Sequence, residues 1–178
     1  VGIENNHKAF FFNKKFNMKK YEKKIKLKLS EKQNFIEYSE IGVNYLKNIA
    51  KIIKKNNGGI LIIDYGYLEN NMKNTLQAIS NKKYSKILDN FGKSDITHNI
   101  NFDLFKKIIK KIGGLKENIT TQRNFLMKIG IEQRAEILSR NLSFLKKADI
   151  YYRLKRLIDT KQMGNLFKVM LIKKKNNN

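Results

Sequence analysis

Cysteine, proline and tryptophan are absent from these 178 residues, and histidine occurs twice. Without cysteine there is no disulfide and no thiolate metal site, which agrees with a reducing compartment. No zinc motif can be assembled from His7 and His98 alone. Apolar runs are short: the longest, such as Ile60 to Ile63, fall far below the roughly 20 residues that span a bilayer. No basic, apolar and small-residue sequence marks a signal peptide, and the chain opens on Val1 instead of Met, so the true N-terminus is expected upstream. Missing too are a Gly-rich phosphate loop, paired glutamates at glycosidase-like positions, a Ser-centred elbow and an HExxH helix.

What is present describes a globular chain. Hydrophobic residues make up 41% and aromatics 11%, enough for a core in a domain of this length. Lys and Arg number 38 against 15 acidic residues, for a net charge of +23. Such a charge suggests a polyanion partner, because basic side chains release the counterions condensed on phosphates. Yet only Arg123, Arg134, Arg140, Arg153 and Arg156 are arginine, the residue suited to bidentate phosphate or guanine recognition. The chain is otherwise crowded with Lys, Asn and Ile, which A/T-rich codons encode, so the charge reads first as coding bias and second as a binding surface.

Period-two patterning predicts extended segments at Val1 to Phe12 and Lys23 to Leu29, joined through a basic turn at Asn13 to Lys20 into a hairpin. Ile41, Tyr45, Ile49, Ile52 and Ile53 fall on one face of a helix over residues 41–55, which Asn56-Asn57-Gly58-Gly59 would stop. Ile60 to Tyr67 follows as an apolar strand with the character of one buried on both faces of a parallel sheet. Leu68 to Gly92 reads as a long loop with a short helical stretch, of the kind that can cover a site. Phe102, Phe105, Ile108, Ile109 and Ile112 define a second helix ended by Gly113-Gly114. Leu115 to Thr121 then reads as a strand, Arg123 to Ile129 and Glu132 to Lys147 as helices, and Leu166 to Ile172 as a final strand.

In a doubly wound α/β fold, ligands sit beyond the carboxyl ends of the strands. Asp64 is at such an end, although an Asp there also starts ordinary turns. Asp95, Thr97 and His98 lie in a polar cluster before a helix, where Asn101 reads either as an N-cap or as part of a binding surface. Thr120-Thr121-Gln122 closes a strand, facing a ligand or capping the next helix. His7 falls in the expected hairpin and reads as incidental.

Several segments, taken in order, resemble the MidA family of S-adenosylmethionine-dependent methyltransferases. They are Ile63-Asp64-Tyr65-Gly66-Tyr67, Thr75-Leu76-Gln77-Ala78, Asp95 to Phe102, Thr120-Thr121-Gln122, Phe125-Leu126, Gly130-Ile131 with Arg134, and Met163 to Val169. The resemblance runs from about Val1 to Ile172. One segment departs: the family's usual Thr-Ala-His-Val is Thr97-His98-Asn99-Ile100 here. This family includes the mitochondrial protein arginine methyltransferase that assists assembly of respiratory complex I.

The resemblance implies an α/β fold, the C-terminal half of a Rossmann-like class I methyltransferase sheet with helices on both faces and an N-terminal β-hairpin insertion. Residues 1–30 would be the insertion, 31–172 the methyltransferase part, and 173–178 a disordered Lys/Asn tail. It implies S-adenosylmethionine as cofactor, with the main binding loop, the ribose-binding acid and the substrate motif upstream of Val1. Asp64 and Tyr65 are the implied catalytic residues, with Gly66, Tyr67, Gln77, Asp95, Thr97, Asn99 and Gln122 lining substrate or cofactor, and no metal. The implied partners are a protein substrate, conceivably a complex I subunit, and the missing N-terminal half, with no specific nucleic acid and no membrane span. The location would be the cytoplasm in a bacterium and the mitochondrial matrix in a eukaryote. A non-catalytic basic module binding nucleic acid or membrane, and an inactive gene fragment, are the competing readings.

Overall fold

The computed structural model describes residues 1–4, 9–31, 33–89 and 92–175. In chain order its elements are β1 (Gly2–Ile3), β2 (Ala9–Phe10), α1 (Met18–Ile25), α2 (Glu40–Asn56), β3 (Gly59–Tyr67), β4 (Gln77–Ser80), β5 (Lys83–Ser85), β6 (Asp95–Thr97), β7 (Ile100–Asn101), α3 (Phe102–Ile112), β8 (Leu115–Thr121), α4 (Gln122–Lys128), α5 (Ile131–Ser139), α6 (Phe144–Ile158), α7 (Met163–Leu166) and β9 (Phe167–Lys174). They fall into two compact units, one of Val1–Tyr38 with Asn71–Asn99, the other of Ser39–Asn70 with Ile100–Asn178. Neither division coincides with the break expected after residue 30.

In the first unit the expected hairpin between residues 1–12 and 23–29 is not formed among the described residues; a two-residue pairing lies wholly inside its first arm instead. β1 pairs antiparallel with β2, and His7 lies outside the described residues. The expected strand over Lys23 to Leu29 is replaced by α1 and its exit. The Asn17 side chain accepts from Lys20 N, Lys26 turns left-handed at φ 56°, and the Glu22 carboxylate accepts from the backbone of Leu29 and Ser30 at 2.5 and 2.6 Å. Local capping therefore overrides the period-two alternation of Ile25, Leu27 and Leu29. The long loop over residues 68–92 holds two short strands, β4 and β5, in place of the expected helical stretch. β4 pairs antiparallel with both β5 and β6, and Asn81 and Lys82 make the β4 to β5 turn at φ 50° and 63°, the backbone that a tight two-residue hairpin demands.

The second unit carries the main sheet, in the order β7-β3-β9-β8. It is mixed: β3, β7 and β8 run in one direction and the last strand, β9, runs against them. β9 runs antiparallel between β3 and β8, and the only direct parallel pairing among the described residues joins Gly66 and Tyr67 to Ile100 and Asn101. Consecutive residues Val169 and Met170 of β9 are both buried. Successive side chains of a strand point to opposite faces, so both faces of the sheet are covered at its centre. α2 and α3 pack together, α2 against β9 and α3 against β8, and α4 and α7 add further cover to β8 and β9. Phe102, Ile108 and Ile109 of α3 are fully buried, each contributing about 1.5–3 kcal/mol by leaving water.

Three further expectations change. The buried face of α2 is Val43, Leu46, Ala50 and Ile53; of the residues marked by periodicity only Ile53 is on it, while Ile41, Tyr45 and Ile52 face solvent. The helix has two apolar stripes, and the sequence pattern picked the wrong one. Residues 132–147 are not one helix, because the chain turns after Ser139, whose hydroxyl donates to Glu136 O, and restarts at Ser143. Finally, Lys173 and Lys174 belong to β9, and Lys175 N donates to Gly114 O; of the expected tail, residues 176–178 lie outside the described residues.

Candidate functional site

The C-terminal ends of β3 and β8 lie at the same end of the main sheet, since both run antiparallel to β9. The register lines up Asp64, Lys168 and Thr121 across the three strands. Asp64 is half-buried, and its Oδ1 accepts from the Tyr65 backbone N–H at 2.7 Å. That bond fixes the carboxylate at the strand end. The Tyr65 ring lies 4.2 Å from the ring of its cross-strand neighbour Phe167, tilted by 36°, and stays 41% exposed. An acid and a partly open aromatic ring thus occupy successive positions near the end of the strand, on opposite faces of the sheet.

Gly66 follows because nothing larger fits. A Cβ there would lie 2.4 Å from Ile100 O and 2.5 Å from the Phe102 ring, so the glycine lets β7 and α3 close on β3. Tyr67 is buried beside this crossing. Asn101, which could have been a ligand or a cap, is a cap: its Oδ1 accepts from Leu104 N at 3.0 Å. Thr121 likewise caps α4 by accepting from Asn124 N.

Gln122 is buried and donates from Nε2 to Leu157 O at 2.9 Å, while Arg123 donates to Ile158 O at 2.9 Å. Both bonds satisfy carbonyls in the last turn of α6, which would otherwise lack partners. Arg123 also lines a groove of about 420 Å³ with Tyr151, Lys155 and Asp159, which no sequence motif marked.

The remaining residues of the expected site are in the first unit. Gln77 Nε2 donates to Thr97 Oγ1 at 3.1 Å, across paired positions of β4 and β6. Asn99 N donates to Thr75 Oγ1, and the Thr75 hydroxyl donates to the Glu37 carboxylate. Glu37 carried no sequence signal: it lies in a short irregular stretch before α2, where neither period applies. Asp95 is exposed, and the His98 ring lies against the carbonyl of Asn99. Gln77, with Tyr84 and Asp89, also borders a groove of about 560 Å³. The expected nine residues therefore resolve into three sets, Asp64 to Tyr67 on β3, Gln122 at the base of α4, and Gln77, Asp95, Thr97 and Asn99 in the first unit.

A cofactor the size of S-adenosylmethionine needs a glycine-lined turn against its methionine end and an acid against its ribose. The described residues do not supply the first. Gly66 is filled by β7 and α3, and Gly164 by the carbonyls of Ile158 and Asp159. Among the described residues, no group of three or more His, Asp or Glu is placed to hold a metal, and no helix is long and apolar enough to cross a membrane.

The segment that carries the acid of β3 finds its match in a family model. Residues 2–121 match the family described as "Putative S-adenosyl-L-methionine-dependent methyltransferase". The chain belongs to this family. The family's cofactor is S-adenosylmethionine. Among curated proteins, the chain is 26% identical over 141 residues to the mitochondrial protein arginine methyltransferase NDUFAF7 of Xenopus tropicalis, covering 78% of this chain and 32% of that protein. The corresponding Danio rerio protein is 26% identical over 133 residues, covering 72% and 30%. Two solved structures from Burkholderia thailandensis share the fold. One is of an uncharacterised protein, with a TM-score of 0.82 at 18% identity, over 98% of this chain and 48% of that one. The other, bound to S-adenosyl-homocysteine, has a TM-score of 0.77 at 20% identity, over 98% and 46%. The chain thus spans about a third of the curated relatives and about half of the solved ones.

Proposed function

We propose that these residues are the C-terminal part of an S-adenosylmethionine-dependent methyltransferase that methylates arginine in a protein substrate, in a step serving respiratory complex I assembly. The observation that carries this reading is the family match across residues 2–121, which includes Asp64 and Tyr65 at the sheet end where ligands of α/β folds bind. The arginine acceptor is supported by the printed names of the frog and fish relatives. By the same relatives the location is mitochondrial in a eukaryote; in a bacterium it is the cytoplasm.

When bound, the cofactor supplies an electrophilic methyl group on sulfur. What this chain contributes is orientation. A carboxylate takes a guanidinium through paired, charge-assisted hydrogen bonds. Asp64, held by the Tyr65 amide, presents the carboxylate near the end of β3, where positioning and electrostatics dominate the rate, while the tilted Tyr65 ring lies on the opposite face of the sheet. Gln77, Thr97 and Asn99 contact the protein substrate in this reading, with Asp95 at the exposed rim.

The test uses the complete protein and an arginine-containing substrate. Asp64→Ala lowers kcat/KM for methyl transfer by at least about tenfold, with the melting temperature nearly unchanged. Full activity in a folded Asp64→Ala protein rejects this site. Gln77→Ala and Thr97→Ala raise KM more than they lower kcat.

A further inference from the structure

The positive charge of the chain is not spread as a coding bias alone would spread it. Between Lys14 and Lys28, eight of fifteen residues are lysine, against one asparagine and one isoleucine. A/T-rich codons would enrich all three together. Glu22 is the one acid of this stretch, and its carboxylate accepts from the backbone N–H groups of Leu29 and Ser30 and from the Ser30 hydroxyl. An ammonium is too costly to bury without a counter-charge, so a surface this rich in lysine meets either water or an anion.

α1 sorts these residues by face. At about 100° per residue, Lys19, Lys20, Lys23 and Lys24 fall within an arc of about 140°, and all four are exposed. Met18, Tyr21 and Ile25 fall on the opposite side and are half-buried, with the Tyr21 ring 5.2 Å from that of Phe16 and 6.1 Å from that of Tyr38. The arrangement works against the helix. Lys19 with Lys23, and Lys20 with Lys24, are like charges one turn apart, and Lys19 and Lys20 occupy a first turn that holds no acid, where an acid is favoured. Lys14, Lys15, Lys26 and Lys28, also exposed, extend the charge on both sides of α1 in sequence. Three features select the anion. The charge is carried by lysine, the first arginine of the chain being Arg123, whereas recognition of single phosphates or bases favours the arginine fork. Neither groove described above is lined by a lysine of this stretch, so the charge forms an exposed face and not a pocket of the kind that encloses a small ligand. Phe12 and Phe16, on either side of Lys14 and Lys15 in sequence, are 54% and 66% exposed, and aromatics among lysines suit the headgroup boundary of an anionic bilayer.

We propose that the lysine face of α1, together with Lys14, Lys15 and the exposed Phe12 and Phe16, docks the protein on a membrane surface rich in anionic phospholipid. The lysines hold the headgroups electrostatically, each adding roughly fivefold to the partition when within a Debye length of the surface. Phe12 and Phe16 enter the headgroup boundary, and nothing crosses the bilayer. The surface belongs to the first unit, whereas Asp64 belongs to the second, and lipid binding needs neither cofactor nor methyl acceptor. The proposal therefore stands independently of the methyltransferase reading.

The experiment is flotation of the full chain with vesicles of phosphatidylcholine alone, and with vesicles of equal parts phosphatidylcholine and phosphatidylglycerol, at physiological salt. The chain floats with the anionic vesicles only, and added salt weakens the binding steeply. Lys19→Gln, Lys20→Gln, Lys23→Gln and Lys24→Gln combined lower the partition by at least about tenfold. Lys106, Lys107, Lys110 and Lys111 of α3 are also exposed, and their combined change to Gln removes the same charge but lowers the partition by less than about threefold. Glutamine keeps the helix propensity of lysine and removes the like-charge pairs, so the α1 variant melts no lower than wild type. Should it fail to fold, Lys14→Gln with Lys15→Gln, outside α1, gives a loss of at least about fivefold. Phe12→Ala with Phe16→Ala lowers the partition by at least about threefold while keeping its salt dependence. Absence of binding to the anionic vesicles overturns the proposal. So do equal losses from the α1 and α3 variants, which assign the binding to net charge alone. Preferential capture of single-stranded RNA in direct competition with the anionic vesicles, lost in the α1 variant, also overturns it and makes nucleic acid the occupant.

Discussion

At the scale of single residues, the short Asp64-Tyr65-Gly66 segment combines two kinds of constraint. Asp64 and Tyr65 have room at the strand end, whereas Gly66 has none. Gly66→Ala places a methyl 2.4 Å from a backbone oxygen, and the overpacking costs about 1–3 kcal/mol, which a urea titration of the chain reads as a lower midpoint. Gln122 separates a structural role from a ligand role. Its amide satisfies Leu157 O from a buried position, so Gln122→Ala costs about 1–3 kcal/mol of stability by leaving that carbonyl without its donor. A complete protein in which Gln122→Ala leaves stability intact and instead raises KM returns it to the site. The place of Asp64 near the C-terminal end of β3 was legible from the apolar run before it. The Glu37, Thr75 and Asn99 linkage was not, because its members lie far apart in sequence and meet only through the fold.

At the scale of elements, α1 shows how a cap overrides a pattern. The Glu22 carboxylate is held below its ordinary range by the backbone N–H donors of Ser30 and Leu29, with help from the Ser30 hydroxyl. Because the folded form prefers the ionised acid, its contribution to stability is present above the ordinary value of 4.5 and fades as pH falls from there through the lower folded value. Thermal melts between neutral pH and pH 3 therefore show a wild-type advantage over Glu22→Gln that vanishes in acid. An advantage independent of pH would contradict the role of the ionised carboxylate. Helices α2 and α3 were readable because residues at helical spacing are mostly apolar and their ends carry Asn or Gly. The face of α2 was not readable, since two stripes satisfy the same periodicity and only contact with β9 and α3 selects between them.

At the scale of the whole chain, exposed apolar side chains govern behaviour in solution, and β3 carries two aliphatic ones, Leu61 and Ile63. Leu61→Lys adds a charge to an exposed apolar position of β3 three residues before Asp64, and it raises the soluble yield of the isolated chain by about twofold or more. A Leu61→Lys chain that aggregates as readily as wild type would place the sticky surface elsewhere, with the exposed stripe of α2 the next to change.

Local sequence determined which stretches are helix or strand wherever the signal was strong. β3, α3, β8 and β9 follow from apolar runs and helical spacing ended by Gly or Asn, and the order of the motifs determined the family. Tertiary structure decided the rest. It turned an alternating segment into α1 because a carboxylate several residues away captured its exit. It made two short strands, β4 and β5, within a polar loop because each found a neighbour to pair with. It also left Leu61 and Ile63 exposed on one face of β3, a strand expected to be buried on both, since burial belongs to what surrounds a strand and cannot be encoded in the strand itself.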